Sequence, residues 1–198
     1  ARLFTQLSLP RALLNSLFLS SVQAPLTTLF CAMGGYALAK LDFPGRGFVT
    51  TLVLSALIIP GTLLLAPSFQ LVYQLGLLNT YAGLLLPGLT PAFGIFLFRQ
   101  AMLNGVPGEL IEAARMDGAG EGRIFFELVL PLVRPMMGAY LMISFMGMWN
   151  NFIGPQIILQ SPQLQPLSVT LNNIKGTYAT DYGLIMAGTI VSIAPVMC

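Results

Sequence analysis

The sequence predicts an all-α bundle of transmembrane helices, and its composition and charge pattern both point to this fold class. Only 8% of the residues are charged, 56% are hydrophobic and the mean hydropathy is +0.80, whereas a soluble domain has about 25% charged residues. Asp, Glu, Lys and Arg are absent from 12–39, 47–98, 136–173 and 182–198. About 20 apolar residues cross a bilayer as a helix, so these stretches indicate membrane spans.

The apolar stretches divide into five spans when they are cut at polar and turn-forming residues, within one polytopic domain over 1–198. Arg11 and Lys40 bracket the first span, and a polar break at 76–80 separates the second from the third. The predicted spans are 12–39, 48–72, 81–103, 131–153 and 183–198. Because the chain starts without Met and stops inside an apolar run, we expect a fragment that is incomplete at both ends.

The first span carries small residues at every fourth position, which places them on one face of a helix. These residues are Ser16, Ser20, Ala24, Thr28 and Ala32. Small residues allow membrane helices to approach closely, so the stripe predicts packing against another helix. Prolines also fall inside the predicted spans, where membrane helices tolerate them; they are Pro25, Pro60, Pro67, Pro87 and Pro91.

The distribution of positive charge predicts the orientation of the spans. Alternation places 40–47 and 104–130 on one side of the membrane, and 1–11, 73–80 and 154–182 on the other. With flanking residues, the first side carries Lys40, Arg46, Arg99, Arg115, Arg123 and Arg134, and the second carries Arg2, Arg11 and Lys175. Lys and Arg are enriched in cytoplasmic loops, so we expect 104–130 in the cytoplasm and a further span before residue 1.

Several kinds of site are excluded by what the sequence lacks. It contains no His, and its two cysteines, Cys31 and Cys198, have no metal-binding spacing, so we expect no catalytic residue, cofactor site or metal site. No GxxxxGK[ST] phosphate loop occurs, so any ATP chemistry must belong to another subunit. The few basic residues form no patch, so nucleic-acid binding is not expected.

The segment 107–118 predicts a short helix with Pro107 in its first turn, Glu109 near its positive end and a glycine stop. Leu110, Ala113 and Ala114 would share one face of this helix. One interpretation is a helix that lies on the membrane surface. The other is a docking helix for a soluble partner, in which small residues permit close approach and carboxylates anchor it. Its docking residues would be Glu112, Ala113, Ala114, Asp117 and Gly118.

The same segment resembles the EAA loop of permease subunits in ATP-binding-cassette importers of type I. Its Glu-Ala-Ala at 112–114, Gly118 and the Leu-Val-Leu-Pro at 128–131 have the spacing of that motif, except that Leu128 stands where Ile is usual. The resemblance implies a cytoplasmic EAA loop over about 104–130 that lies in a cleft of the ATPase subunit, with Glu112 and Gly118 important for the contact. We expect its helix to continue through Leu130-Pro131 into the fourth span, so that ATPase closure tilts membrane helices.

Other segments are similar to the second permease of carbohydrate importers, the maltose MalG type. They are 36–40 with 43–46, 149–152, and 178–183 with 186–188. Permeases of this type have six spans, so the fragment would hold about five of them. The resemblance implies a multi-pass protein of the cell inner membrane that forms a path for a sugar or related polyol. Its partners would be a second homologous permease, two ATP-binding subunits that hold ATP and Mg, and an extracytoplasmic solute-binding protein.

Trp149, Asn150 and Asn151, near the outer end of the fourth span, are open to two interpretations. The indole and amides would suit the membrane interface as an aromatic anchor. Alternatively, an indole face and amide groups would suit a hydroxylated sugar ring, which would make them part of the substrate path.

Three other classes of membrane protein compete with a permease subunit. An ion-coupled secondary carrier usually has carboxylates buried in its spans, and no Asp or Glu lies inside the spans predicted here. A membrane-embedded enzyme is disfavoured by the absence of His and of paired intramembrane carboxylates. A purely structural scaffold would leave the EAA spacing unexplained. We therefore expect a non-catalytic transport subunit.

Overall fold

The structure is a computed structural model that describes residues 9–177, and every regular element in this range is helical. We number the helices α1 (Leu9–Lys40), α2 (Arg46–Ala56), α3 (Gly61–Gln74), α4 (Tyr81–Gly88), α5 (Ala92–Gly105), α6 (Gly108–Met116), α7 (Glu121–Leu132), α8 (Arg134–Trp149), α9 (Ile153–Ile158) and α10 (Leu167–Thr177). The all-α prediction is confirmed. The predicted fifth span, 183–198, lies outside the described residues.

Helix α1 buries the stripe of small residues that the sequence places on one of its faces. Ser16, Ser20, Ala24, Thr28 and Ala32 are each no more than 2% exposed. The Thr28 hydroxyl donates to the Ala24 carbonyl at 2.7 Å, so this polar side chain is satisfied within the helix. One turn beyond the stripe, a Cβ on Gly35 would lie 2.6 Å from Phe98 Cβ of α5. Glycine at this position therefore allows the close approach of α1 and α5.

The second and third predicted spans are interrupted in the structure. The second comprises α2 and α3, separated by a break at 57–60 that includes Pro60, and the third comprises α4 and α5, separated at Pro91. Proline has no N–H to continue the helical hydrogen bonds, which accounts for breaks at these positions. Within the described residues, one helix, α1, is long and apolar enough to cross a membrane. If each bent pair of helices is counted as one span, there are up to four spans.

Helices α7 and α8 meet at Val133 with a bend of 83°. The expectation of a helix that continues through Leu130-Pro131 into the fourth span is therefore wrong. Pro135 explains the bend, because it has no N–H for the Pro131 carbonyl and its ring crowds that carbonyl. Helix α7 itself contains a π-helical turn over Ile124–Val129.

The helices gather into two compact units. Unit 1 comprises residues 9–23, 64–87 and 145–177, and unit 2 comprises 24–63 and 88–144. Unit 1 has one core cluster around Leu19, Leu84 and Leu159 and another around Leu9 and Trp149. Unit 2 has a single large cluster, whose members include Cys31, Phe98, Ile111, Phe125 and Tyr140. This second core supports the EAA loop.

Candidate functional site

The N-terminal end of α6 is fixed by the backbone before it. Pro107 precedes the first helical residue and has the extended conformation of an N-cap, with φ −60° and ψ 136°. The structure thus places this proline at the N-cap, one residue before the first helical turn in which it was predicted. Glu109 lies in the first turn and Arg115 in the last. Both charges complement the helix dipole, an effect of about 0.3–1 kcal/mol each on an exposed helix.

The C-terminal end of α6 is a Schellman motif built on Gly118. The Gly118 N–H donates to the Arg115 carbonyl at 3.0 Å, and the Ala119 N–H donates to the Ala114 carbonyl at 3.0 Å. Gly118 has φ +81°, a left-handed conformation that glycine adopts without the cost other residues bear. Nothing lies within 4 Å of a Cβ placed there. The motif therefore requires glycine for its backbone conformation and not for lack of space.

Ile111 packs α6 into the core of unit 2. This side chain is 2% exposed and lies in the core cluster with Ile124 and Phe125, and burial of such a side chain contributes about 1.5–3 kcal/mol. The three residues predicted to share an apolar face do not form the buried face of the helix, because Leu110 is 43% exposed and Ala113 is exposed. Ile111, three residues before the half-buried Ala114, forms the buried face with it.

Four of the five predicted docking residues are exposed on α6 and its C-terminal turn, whereas Ala114 lies on the buried face. Glu112, Ala113, Asp117 and Gly118 are exposed, and Ala114 is half-buried. Among residues 9–177, the carboxylates of Glu112 and Asp117 have no hydrogen bond or ion pair. Met116, at 89% exposed, adds an apolar contact point. The surface thus offers free carboxylates beside apolar and small residues.

A shallow cavity of about 320 Å³ lies beside this surface. It is lined by Ala114, Asp117, Ala119, Arg123, Ile124, Glu127 and Leu128. Arg123 donates to Glu127 at 2.8 Å, and both side chains are about two-thirds exposed. A concave surface next to an exposed helix is suited to a protruding side chain of a protein partner.

Sequence reasoning missed three residues that hold the loop in place: Tyr36, Lys40 and Glu121. Glu121 accepts from the Tyr36 hydroxyl at 2.6 Å and from Arg115 Nε at 2.7 Å. These hydrogen bonds, from Arg115 first and Tyr36 second, hold the pKa of Glu121 below its usual value. Lys40 Nζ donates to the Val106 carbonyl at 2.6 Å. The available signal was the spacing of Tyr36 and Lys40, which places them on one helix face.

The second candidate site, which we call the Trp149 corner, consists of Trp149, Asn150 and Asn151. The indole is 5% exposed and stacks on Phe145, with ring centroids 6.0 Å apart. Asn150 Nδ2 donates to the Met146 carbonyl at 3.0 Å. Asn151 Oδ1 accepts from the Gly154 N–H at 3.2 Å. Both amides thus bond the backbone at the end of α8 or the start of α9.

The Trp149 corner borders a cavity of about 120 Å³, lined also by Leu167, Ser168 and Leu171. The Ser168 hydroxyl donates to the Asn151 carbonyl at 2.8 Å, so this polar group is also engaged. Within residues 9–177, no cluster of three His, Cys, Asp or Glu side chains is arranged to hold a metal ion. Of the two candidate sites, only the EAA loop presents charged groups without partners.

Comparison with known proteins gives a family and a fold. The profile of a family described as "Binding-protein-dependent transport system inner membrane component" matches residues 8–198. The arabinooligosaccharides transport system permease protein AraQ of Halalkalibacterium halodurans is 40% identical over 183 residues, which cover 92% of this chain and 65% of AraQ. The chain thus spans less than two thirds of the length of that relative.

The lactose transport system permease protein LacG of Rhizobium radiobacter is 36% identical over 197 residues, covering 100% of this chain and 72% of LacG. Among solved structures, a chain of a bacterial ABC transporter involved in the import of the acidic polysaccharide alginate superposes with a TM-score of 0.88. It is 23% identical, and the match covers 99% of this chain and 74% of that one. This likeness shows the fold.

Proposed function

This chain belongs to the family of binding-protein-dependent transport system inner membrane components, and we propose that it is a permease subunit of an ATP-driven sugar importer. The observation that carries the proposal is α6, an exposed helix whose free carboxylates and Schellman turn coincide with the EAA spacing. The substrate class rests on the relatives, which are described as transporting arabinooligosaccharides and lactose.

The proposed complex contains a second homologous permease, two ATP-binding subunits and an extracytoplasmic solute-binding protein. ATP and Mg are bound by the ATP-binding subunits, and this chain is a non-catalytic, multi-pass component of the inner membrane. Glu112, Ala113, Ala114, Asp117 and Gly118 form the contact with one ATP-binding subunit. An ion-coupled secondary carrier is disfavoured, because α1 to α5 and α8 contain no Asp or Glu.

Coupling passes from α6 into the core of unit 2. A displacement of α6 moves Ile111, which packs in one cluster with Ile124 and Phe125 of α7. Closely packed cores transmit such shifts because they have few voids to absorb them. Because of the bend at Val133, α7 and α8 do not form one straight helix that could tilt as a unit. The displacement therefore passes through side-chain packing in the core of unit 2.

The test is Glu112→Ala in the complete complex, reconstituted in proteoliposomes, with Glu109→Ala as the matched control. Both carboxylates are exposed and lie on α6, but only Glu112 belongs to the EAA triplet. Removing a charge-assisted hydrogen bond at an interface costs about 1.5–3 kcal/mol. We expect Glu112→Ala to lower sugar uptake and substrate-stimulated ATP hydrolysis about tenfold or more, with unchanged abundance in the membrane.

Glu109→Ala should leave both rates near wild type. Equal uptake by the two variants would reject docking through Glu112 and favour a helix that lies on the membrane surface. Loss of the Glu112→Ala protein from the membrane would show that this residue serves the fold instead.

A further inference from the structure

The last turn of α1 bonds the chain on both sides of α6. Lys40 Nζ donates to the carbonyl of Val106, two residues before α6 begins, at 2.6 Å. Tyr36 Oη donates to Glu121, the first residue of the helix that follows α6, at 2.6 Å. Tyr36 and Lys40 are one helical turn apart, so they project from the same face of α1.

The Tyr36 contact is anchored at both of its ends. The Tyr36 ring is 4% exposed and lies 5.4 Å from the Phe125 ring, so its hydroxyl has little freedom to move. An O–H donor to a carboxylate is among the shorter and stronger hydrogen bonds in proteins. The other oxygen of Glu121 accepts from Arg115, in the last turn of α6. The series Tyr36, Glu121, Arg115 thus joins α1 to α6 through side chains.

The Tyr36 end of this series is the one that is buried. The Arg115–Glu121 pair is 40% and 46% exposed, and exposed ion pairs contribute little on their own. The Lys40 contact is independent of that pair, because it ends on a backbone carbonyl of a residue that is 1% exposed. Two contacts from one helix face, one on each side of α6, restrict both the translation and the rotation of the loop.

We propose that Tyr36 and Lys40 form a two-point clamp through which α1 moves together with α6, as positioning residues in the coupling of ATP hydrolysis to transport. The inference rests on the proposed function, because it assumes that α6 is displaced by an ATP-binding subunit. In sequence, α6 is connected only to α5 and α7. The clamp would in addition transmit its displacement to α1 through side chains.

The test uses Tyr36→Phe, which removes the hydroxyl and keeps the ring on Phe125, and Lys40→Met, which keeps the stem and removes the donor. Tyr73→Phe is the matched control, because Tyr73 is 66% exposed and its hydroxyl makes no hydrogen bond among residues 9–177. In the complete complex in proteoliposomes, we expect each clamp variant to lower sugar uptake per ATP hydrolysed about fivefold. Lys40→Arg should restore most of it.

A double variant separates the clamp from general destabilisation. If Tyr36 acts through Glu121, Tyr36→Phe combined with Glu121→Ala should transport no worse than the poorer single variant. A spin label on Gly122→Cys, in a background without other cysteines, should become more mobile in Tyr36→Phe and in Glu121→Ala. Nothing lies within 4 Å of a Cβ at this position, so the label reports the loop without displacing it.

The outcomes separate the clamp from the docking proposal. Wild-type uptake per ATP in Tyr36→Phe and Lys40→Met, together with loss of uptake in Glu112→Ala, would overturn the clamp and leave docking intact. Normal uptake in Glu112→Ala would reject docking through Glu112, on which the clamp proposal rests. Additive losses in the double variant would show that Tyr36 and Glu121 act separately, which also overturns the clamp. If Tyr36→Phe fails to accumulate, Glu121→Ala takes its place, because the Glu121 side chain is exposed. Lowered uptake per ATP with a more mobile label would then support the clamp, and wild-type values of both would overturn it.

Discussion

The EAA loop and the Trp149 corner both contain polar side chains at the end of a helix, yet they use them differently. In the corner, the amides of Asn150 and Asn151 bond backbone groups of the same chain. In the EAA loop, the backbone caps itself through Gly118, and the carboxylates of Glu112 and Asp117 keep no partner among residues 9–177.

The difference separates structural polar groups from groups available for binding. An amide that hydrogen-bonds a free backbone group at a helix end acts as a cap, and its loss leaves that backbone group without a partner. A helix that is capped by its own backbone leaves its side chains free for another molecule. The free carboxylates of the EAA loop therefore favour a partner contact, whereas the bonded amides of the corner favour a local structural role.

The largest expected effect concerns the side of the membrane that each of the two regions faces. Gly120 of the EAA loop, Gly45 and Gln163 are all exposed, and charge asymmetry places only Gln163 outside. Single cysteines at these positions, in a background without Cys31 and Cys198, should label with an impermeant reagent in intact cells only at residue 163. Labelling at residue 120 from outside would contradict the orientation and separate the EAA loop from any cytoplasmic ATPase.

The next effect tests the backbone cap of the EAA loop. Gly118→Leu should reduce sugar uptake by about tenfold or more, because a left-handed conformation costs other residues about 1–2 kcal/mol and the Schellman turn presents the proposed docking residues. Gly120→Leu is the control, since Gly120 is also exposed but has φ −73°. The measurement is uptake by the complete complex. Equal uptake by the two variants would show that the turn does not position the contact.

A smaller effect distinguishes the two interpretations of the Trp149 corner. Asn151→Ala should lower thermal stability by about 1 kcal/mol, as loss of a capping side chain does, and leave the apparent KM for sugar unchanged. Asn150→Ala should behave in the same way. A several-fold rise in KM with unchanged stability would instead support a place for these amides in the substrate path, which stays a prediction.

The sequence predicted those features that depend on local pattern. The stripe from Ser16 to Ala32 repeats every fourth residue, and each member is buried. Gly118 was expected as a helix stop and has φ +81°. The bend at Val133 was not predicted, because the expected helix runs through Leu130-Pro131 into the fourth span. The bonds of Tyr36 and Lys40 to the EAA loop could not be predicted, because they join residues 85 and 66 positions apart.

The smallest expected effect is the pH dependence of the Glu121 contact, which sharpens the comparison by testing a carboxylate that is bonded to α6 and to α1. Arg115 first and Tyr36 second lower the pKa of Glu121 in the folded protein. A lowered folded pKa means that the ionised contact stabilises the protein above the ordinary glutamate pKa of about 4.3 and is lost as the pH falls through the folded value. Because Glu121 is 46% exposed, its contribution should stay below about 1 kcal/mol. The thermal midpoint of wild type should therefore exceed that of Glu121→Gln slightly at pH 7, and the difference should close as the pH falls below the ordinary glutamate range and through the lowered folded pKa. A difference that persisted at low pH would mean that the charge of Glu121 is not what holds the loop to α1.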